Sequence, residues 1–356
     1  MIYYDVTKMA GADGRSGLTR VSSRLWHELG KSVRPVRWDK RSGGWRDNAT
    51  GAGIEGTAAD WLLTVELFSE AERPGWGGFL RRRTMRLAAV FHDAIPLRWP
   101  HITWPQSVQR HPEYIKSLAG FDRVWAVSAA SLTDLTGFWR WQGTRPVATV
   151  STVDLGSDFD GSERELALTG TGAGRPQLLS VGIVEPRKNQ AFLLGVCQQL
   201  WNSGVDFELH VVGRENPHFG RPIARLLEKE QRRERRFHFH GAIGDEKLHG
   251  LYARASAVVF PTLAEGCGLP LFESLWRGVP CLASDLPPIR ESAEGGGCRL
   301  FPVGDARAWA EGIRGFLDSP ESRAELRHQA MHRPLPRWCD TAGTLLAGLR
   351  AGRSED

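Results

Sequence analysis

The chain has 356 residues, enough for two domains of ordinary size, and its 41% hydrophobic content supports packed cores and excludes global disorder. A formal net charge of +5 suits phosphorylated ligands or an anionic membrane surface, and is too mild for a nucleic-acid-binding tail. The five cysteines Cys197, Cys267, Cys281, Cys298 and Cys339 contain no CxxC pair, which argues against a disulfide framework or a zinc site.

The opening "MIYYDVTKMAGADG" reads as a strand and its turn, not as a signal peptide. No window has the apolar length of a membrane span, so the expectation is a cytoplasmic protein, with peripheral membrane contact left open. "LTRVSSRLWHELG" follows with Leu18, Val21, Leu25 and Leu29 near helical spacing. "WLLTVEL", "RLAAVFHD", "RVWAVS" and "VATVST" read as further strands, and Ser128 as the N-cap of a helix. "GSDFDGSERELALTGTGAGRP" is rich in Gly, Ser, Thr and charge, and reads as linker or surface loop. Its Gly170, Gly172 and Gly174 precede a strand instead of following one, so they are no nucleotide fingerprint.

The alternation then restarts. "QLLSVG", "FELHVVG", "FHFHGAI", "AVVFPT" and "VPCLASD" are strands, separated by the helices "NQAFLLGVCQQLWNSG", "PIARLLEKEQRRERR", "DEKLHGLYARA" and "LPLFESLWRG". Alternating strands and helices with near-continuous apolar strands imply parallel sheets covered on both faces. The expected architecture is α/β, with two doubly wound domains over residues 1–160 and 176–335. Residues 161–175 form the linker, and a C-terminal helix over 336–356 packs back on the first domain. Two such domains facing each other make a central cleft, with ligands at the carboxyl ends of the strands.

"PTLAEGCGLPLFESLWRGVP" carries the strongest chemical signal. Pro270 suits a helix start, because its missing N–H is one the first turn leaves unpaired. Amides around Gly268, Leu269 and Leu271 then form a site for an anion such as a diphosphate. Gly266 and Gly268 let backbone approach a ligand closely. Glu265 and Glu273 bracket that site, where they would accept hydrogen bonds from sugar and ribose hydroxyls. The plainer alternative has Glu273 stabilising the helix dipole and Glu265 in solvent. In "EPRKN", Arg187 offers a planar fork and Lys188 a mobile charge for phosphate oxygens, or the pair merely caps a helix start. "FHDAIP" puts His92 and Asp93 at a strand end, as hydrogen-bonding groups or as a satisfied polar pair. Gly14 and Gly17 permit a tight turn before the first helix, and Trp99 and Trp104, which follow "FHDAIP" closely, are either core residues or platforms for a sugar ring. Arg81, Arg82, Arg83 and Arg86 form a basic run that meets either solvent or anionic head groups.

The run EGxGLPxxE, with Glu265 and Glu273 at its ends, resembles the signature of retaining glycosyltransferases of the GT-B fold, family GT4. "LLSVGIVEPRKNQAFLL", "FHFHGAIGDEKLHGLYARASAVVFPT", "CRLFPVGD" and "RWCDTAGTLLAGL" extend the likeness over most of residues 175–350; it is looser in the N-terminal half. The resemblance implies a nucleotide-sugar donor domain after residue 175 and an acceptor domain before it. It implies that Glu265 binds donor-sugar hydroxyls, Glu273 the ribose, and Arg187, Lys188, Gly268 and Leu269 the diphosphate. The base would lie against Gly241 and Ala242, His92 near the donor sugar, and Asp93 on the acceptor side. Ile183 stands where many members carry an Arg, which shifts more of the task to Arg187. The expected partners are a nucleotide diphosphate sugar and a saccharide or lipid-linked acceptor, with no nucleic acid, no cofactor and no metal. The likeness to bacterial polysaccharide mannosyltransferases favours GDP-mannose. A GT-B hydrolase or epimerase, or a non-catalytic nucleotide-sugar-binding partner, is the alternative.

Overall fold

The apolar runs become strands wherever both of their faces can be covered. In the computed structural model, which describes residues 1–9, 17–158, 164 and 174–351, they build two sheets. One unit comprises residues 1–156 and 336–356, the other residues 157–335.

The first unit's sheet contains β1 (Ile2–Asp5), β2 (Arg34–Asp39), β3 (Gly44–Asp47), β4 (Trp61–Thr64), β5 (Arg86–Phe91), β6 (Arg123–Ala126) and β7 (Thr149–Thr152). Their order is β3-β2-β1-β4-β5-β6-β7, parallel throughout except for the β2/β3 hairpin. That hairpin is absent from the sequence reading. Trp38 and Trp45 stand opposite each other across it, with ring centroids 5.3 Å apart, and join a cluster with Trp76, Phe68 and Phe79. β4 stops at Thr64, short of the expected "WLLTVEL", because the next carbonyl, that of Val65, turns to His92. Ser128 caps the helix Ala129–Trp141 through a 3.0 Å bond from the Ser131 amide, as its position predicts.

The last helix, Trp338–Ala351, closes this unit. Thr341 Oγ1 donates to the Asp154 carbonyl at 2.8 Å, and Arg123 Nη1 to the Gly348 carbonyl at 3.3 Å. A Cβ on Gly156 would meet the Trp338 amide nitrogen at 2.3 Å, so only glycine fits that crossing.

The second unit's sheet contains β8 (Gln177–Val181), β9 (Glu208–Val212), β10 (Phe237–Gly241), β11 (Ala257–Phe260), β12 (Cys281–Ser284) and β13 (Cys298–Phe301). All are parallel, in the order β10-β9-β8-β11-β12-β13. Every residue of β11 and β12 is buried, as central strands covered by helices require. One core cluster holds Leu209, Phe237, Trp309 and Phe316; the other holds Leu179, Val258, Leu271 and Ile289. The helix Gly220–Gln231 ends before the basic run expected to continue it. The Glu230 carbonyl accepts from Arg233 and Glu234 in a turn, and Arg236 pairs with Glu234 at 2.8 Å on the way into β10.

Of the expected linker 161–175, Arg164 is anchored on this unit. Its guanidinium donates to the carbonyls of Leu275 at 2.6 Å, Trp276 at 3.1 Å, Arg333 at 2.8 Å and also Ala330. These carbonyls lie at the ends of helices Leu269–Trp276 and Pro320–His332, where orphan acceptors need donors. Among the described residues no helix is long and apolar enough to cross a membrane.

Candidate functional site

In the second unit the strand order reverses at β8, which has β9 on one side and β11 on the other. A reversal of strand order is where an α/β sheet of this type ordinarily takes its ligand, at the carboxyl ends of the strands. Backbone packing there is close. The Gly182 amide donates to the Val212 carbonyl and the Gly213 amide to the Gly241 carbonyl, both at 2.9 Å. A Cβ on Gly213 would lie 1.8 Å from the Gly182 oxygen. Gly241 ends β10 with a φ of 61°, and Ala242 follows it into the turn.

The loop after β8 makes a 3-10 turn over Pro186–Lys188, and Asn189, with φ 58°, leads into the helix Gln190–Asn202. The loop after β11 is tied to it: the Leu263 amide donates to the Arg187 carbonyl at 2.8 Å. This stitching brings the side chains together. Lys188 Nζ lies 2.6 Å, Thr262 Oγ1 2.6 Å and Arg187 Nη1 3.1 Å from Glu265 Oε1. Arg187 also bonds Glu185 Oε1 through Nε at 3.0 Å and the Ala264 carbonyl through Nη1 at 3.0 Å. Asn216 fixes Glu185 in turn, at 2.7 Å. The Lys188 side chain is 10% exposed and that of Glu265 8%, so Glu265 is not a solvated acid. Burial opposes its ionisation, but Lys188 and Arg187 outweigh that and hold the carboxyl below its ordinary value.

Gly268 stands before the helix Leu269–Trp276 with a φ of 86°, and a Cβ there would meet Ile289 Cδ1 at 2.5 Å. Pro270 sits in the first turn, as expected. The Leu271 amide is not available to an anion, however: it donates to the Gly268 carbonyl at 2.9 Å. The amides at Gly268 and Leu269 are the ones the helix start presents. Glu273, one turn further, is buried.

In the first unit, His92 is buried just beyond β5, and its Nε2–H donates to the Val65 carbonyl at 2.8 Å. Burial pulls its pKa down, against that bond and Asp93, so the ring is neutral and Nδ1 is its acceptor. Asp93 Oδ1 accepts from the Ile95 amide at 2.9 Å and starts a short helix, while the Asp93 carbonyl accepts from His111 Nε2 at 3.0 Å. The Trp99 ring lies 5.8 Å from that of His101, tilted by 49°. Gly17 is the first residue of helix Gly17–Leu29; Gly14 lies outside the described residues. Arg83 is paired with Asp122, whereas Arg81 and Arg82 are exposed at a helix end.

A cavity of about 350 Å³ opens at the carboxyl ends of β1 and β4, lined by Lys8, Glu66, Phe68, Trp104, Arg110 and His111 among others. It takes in Trp104 but neither Trp99 nor His92. Sequence reasoning missed its buried acid, Glu66. Glu66 Oε1 accepts the amides of Lys8 at 2.7 Å and Met9 at 3.2 Å, and Oε2 lies 3.3 Å from Arg73 Nη2. The same nitrogen bonds Asp5, and the guanidinium lies 4.3 Å from the Phe68 ring. Burial first, and Asp5 second, push Glu66 up to about 7, against Arg73 and the two amides. A lone Glu after a strand and an Arg in a turn carry no spacing signal that would have paired them.

Comparison with known proteins supports the sequence resemblance. Residues 163–333 match the family described as glycosyl transferases group 1. The serotype-specific mannosyltransferase WbdA of Escherichia coli is 33% identical over 230 residues, covering 59% of this chain and 28% of that protein. The chain thus spans less than a third of the length of these curated relatives. Among solved structures, a sucrose-phosphate synthase from Thermosynechococcus elongatus aligns with a TM-score of 0.71 at 18% identity, covering 99% of each chain. HepE from Anabaena, solved in complex with UDP and glucose, aligns with a TM-score of 0.68 at 14% identity, covering 98% of this chain and 99% of its own. The fold is GT-B, with two parallel-sheet α/β units. Over residues 163–333, just under half of its length, the chain is similar to the glycosyl transferases of group 1.

Proposed function

We propose that the protein moves a sugar from a nucleotide diphosphate donor to a hydroxyl acceptor, with retention of anomeric configuration, in the synthesis of a bacterial polysaccharide, lipopolysaccharide or glycolipid. The observation that carries this reading is the convergence of Lys188 and Arg187 on Glu265 at the reversal of strand order. Two cations and an acid held there suit a ligand that is anionic at one end and hydroxylated at the other. In the proposed step the anomeric C–O bond breaks and its electron pair leaves on the diphosphate. Lys188, Arg187 and the amides of Gly268 and Leu269 stabilise that growing charge. The acceptor hydroxyl adds to the same face, through an oxocarbenium-like transition state, and its proton goes to the departing phosphate oxygen. Glu265 orients donor-sugar hydroxyls, Glu273 the ribose, and Gly241 and Ala242 flank the base. His92 offers Nδ1 to a sugar hydroxyl, and Trp104 stands with Glu66 at the cavity of the acceptor unit.

GDP-mannose is the donor we favour, on the likeness of the "EPRKN" loop and on relatives named as mannosyltransferases. Leaving-group stabilisation by cations makes the reaction metal-independent. A panel of GDP-, UDP- and dTDP-sugars, read by free nucleotide release with and without saccharide or lipid-linked acceptors, tests this. Acceptor-dependent release from GDP-mannose, unchanged by chelator, is expected. Equal release without any acceptor would point to a hydrolase, and no release with any donor to a binding protein.

A further inference from the structure

The strand "FHFHG" pairs with "ELHVV" so that His238 stands beside His210 across the β9/β10 ladder. Side chains alternate along a strand, so Glu208 and His210 share one face of the sheet with His238 and His240. The intervening Leu209, Val211 and Phe237 point into the core on the other face. The ring of His210 stacks on that of His238 at 4.5 Å and on that of His240 at 5.3 Å. Glu208 Oε2 lies 3.2 Å from His210 Nε2 and 4.0 Å from His238 Nε2, and the three ligand-type atoms are all within 4.8 Å of one another.

We propose that Glu208, His210 and His238 bind a divalent transition-metal ion of the zinc type, with water completing the coordination. Donors around a tetrahedral zinc are separated by about 3.4 Å, given bond lengths of roughly 2.1 Å, so small rotamer changes close the site. The donor set of two imidazoles and one carboxylate is one that zinc accepts with an open fourth position. His210 Nδ1 lies 3.0 Å from His240 Nε2. With Nε2 on the metal, Nδ1–H donates to His240, which makes His240 a positioning residue that fixes the tautomer. Gln177 Nε2 holds Glu208 Oε2 at 3.1 Å, and Arg175 sits at 3.6 Å from the other oxygen. The absence of a cysteine motif does not bear on this site, which uses no sulfur.

Glu208 is the first residue of β9 and His238 the second of β10, at the amino ends of their strands. The donor loops leave the carboxyl ends. The ion would therefore clip the edge strand β10 to β9 without entering the sugar-transfer chemistry.

The test is zinc titration of the tag-free, chelator-stripped protein by calorimetry, with cobalt(II) as the optical probe. One equivalent should bind, cobalt should give the intense visible bands of a four-coordinate site, and zinc should raise the melting midpoint. His238→Gln, at a half-exposed position that tolerates the change, should abolish all three with its circular dichroism unaltered. His240→Ala should weaken binding roughly ten- to a hundredfold. Absence of saturable uptake at millimolar zinc overturns the site. So does uptake that survives His238→Gln, or that disappears instead with His328→Ala in the exposed His328/His332 pair, whose rings lie 4.1 Å apart.

Discussion

Lys188 Nζ donates to Glu265 Oε1 at 2.6 Å across 77 residues of sequence, joining the loop after β8 to the loop after β11. Both side chains are almost buried, so each is the other's principal counter-charge. Removing one partner of a buried ion pair costs roughly 3–5 kcal/mol, because the remaining charge is left uncompensated. Lys188→Met should cost less than that, since Arg187 at 3.1 Å still faces Glu265. The double variant Lys188→Met with Glu265→Gln should recover much of the loss. Urea unfolding of the three variants measures the coupling, and additive losses would show that the pair does not act as one unit.

Glu66 gives the first unit a pH dependence of definite sign. Its folded pKa is raised to about 7, from an ordinary value of 4.5. Between those values the folded state binds more protons than the unfolded one, so this stabilising contribution, complete below 4.5, is lost as pH rises through 7. The buried His92 and His111 have lowered values and act the other way: their contribution is present above the ordinary histidine pKa and lost as pH falls. Glu66→Gln removes only the first effect. The difference in unfolding free energy between parent and variant should shift in the variant's favour by about 3 kcal/mol from pH 4.5 to pH 7.5. A flat difference curve would mean that Glu66 stays ionised beside Arg73.

Arg164 donates to four main-chain carbonyls and lies 5.8 Å from the Trp276 ring. Replacing it with Met keeps part of the stem packing and orphans those acceptors. Hydrogen bonds from a charged group contribute about 1.5–3 kcal/mol each, with partial replacement by water at the partly exposed edge. Arg164→Met should destabilise the second unit by about 2–4 kcal/mol in denaturant titration. It should also lower hydrogen-exchange protection at the ends of helices Leu269–Trp276 and Pro320–His332 before it does so in β11.

Much of this architecture was legible in the residues, for identifiable reasons. Buried parallel strands such as "AVVF" and "CLAS" are continuous apolar runs, and Ser128 and Pro270 are local helix-start signals that tertiary contacts did not override. The β2/β3 hairpin was not legible, because its stability comes from Trp38, Trp45 and Trp76 packing edge to face, and Pro35 and three arginines obscure its alternation. At the site, residue types and order pointed to Arg187, Lys188 and Glu265. Their meeting on a single oxygen depends on the loops being stitched by the Leu263 amide, a long-range bond that no local pattern encodes. The Asp5–Arg73–Glu66 cluster is long-range in the same way: its residues come from β1, the loop after β4 and a later turn.

The two glutamates that frame "EGCGLPLFE" should separate in their effects, because they sit in different surroundings. Glu265 is held by Lys188, Thr262 and Arg187 before the helix, and Glu273 is buried one turn inside it. If Glu265 orients the transferred sugar, Glu265→Gln should lower sugar transfer strongly and leave affinity for free nucleoside diphosphate nearly unchanged. If Glu273 holds the ribose, Glu273→Gln should weaken that affinity by about 1.5–3 kcal/mol, or roughly ten- to a hundredfold. The calorimetric titration uses GDP, UDP and dTDP with both variants, alongside transfer assays, after unfolding curves have shown each variant to be folded at the assay temperature. Loss of nucleotide affinity in Glu265→Gln with retention in Glu273→Gln would reverse the two assignments. Retention of both affinity and transfer in both variants would make the carboxylates structural, with Glu265 serving only to hold Lys188 and Arg187 in place.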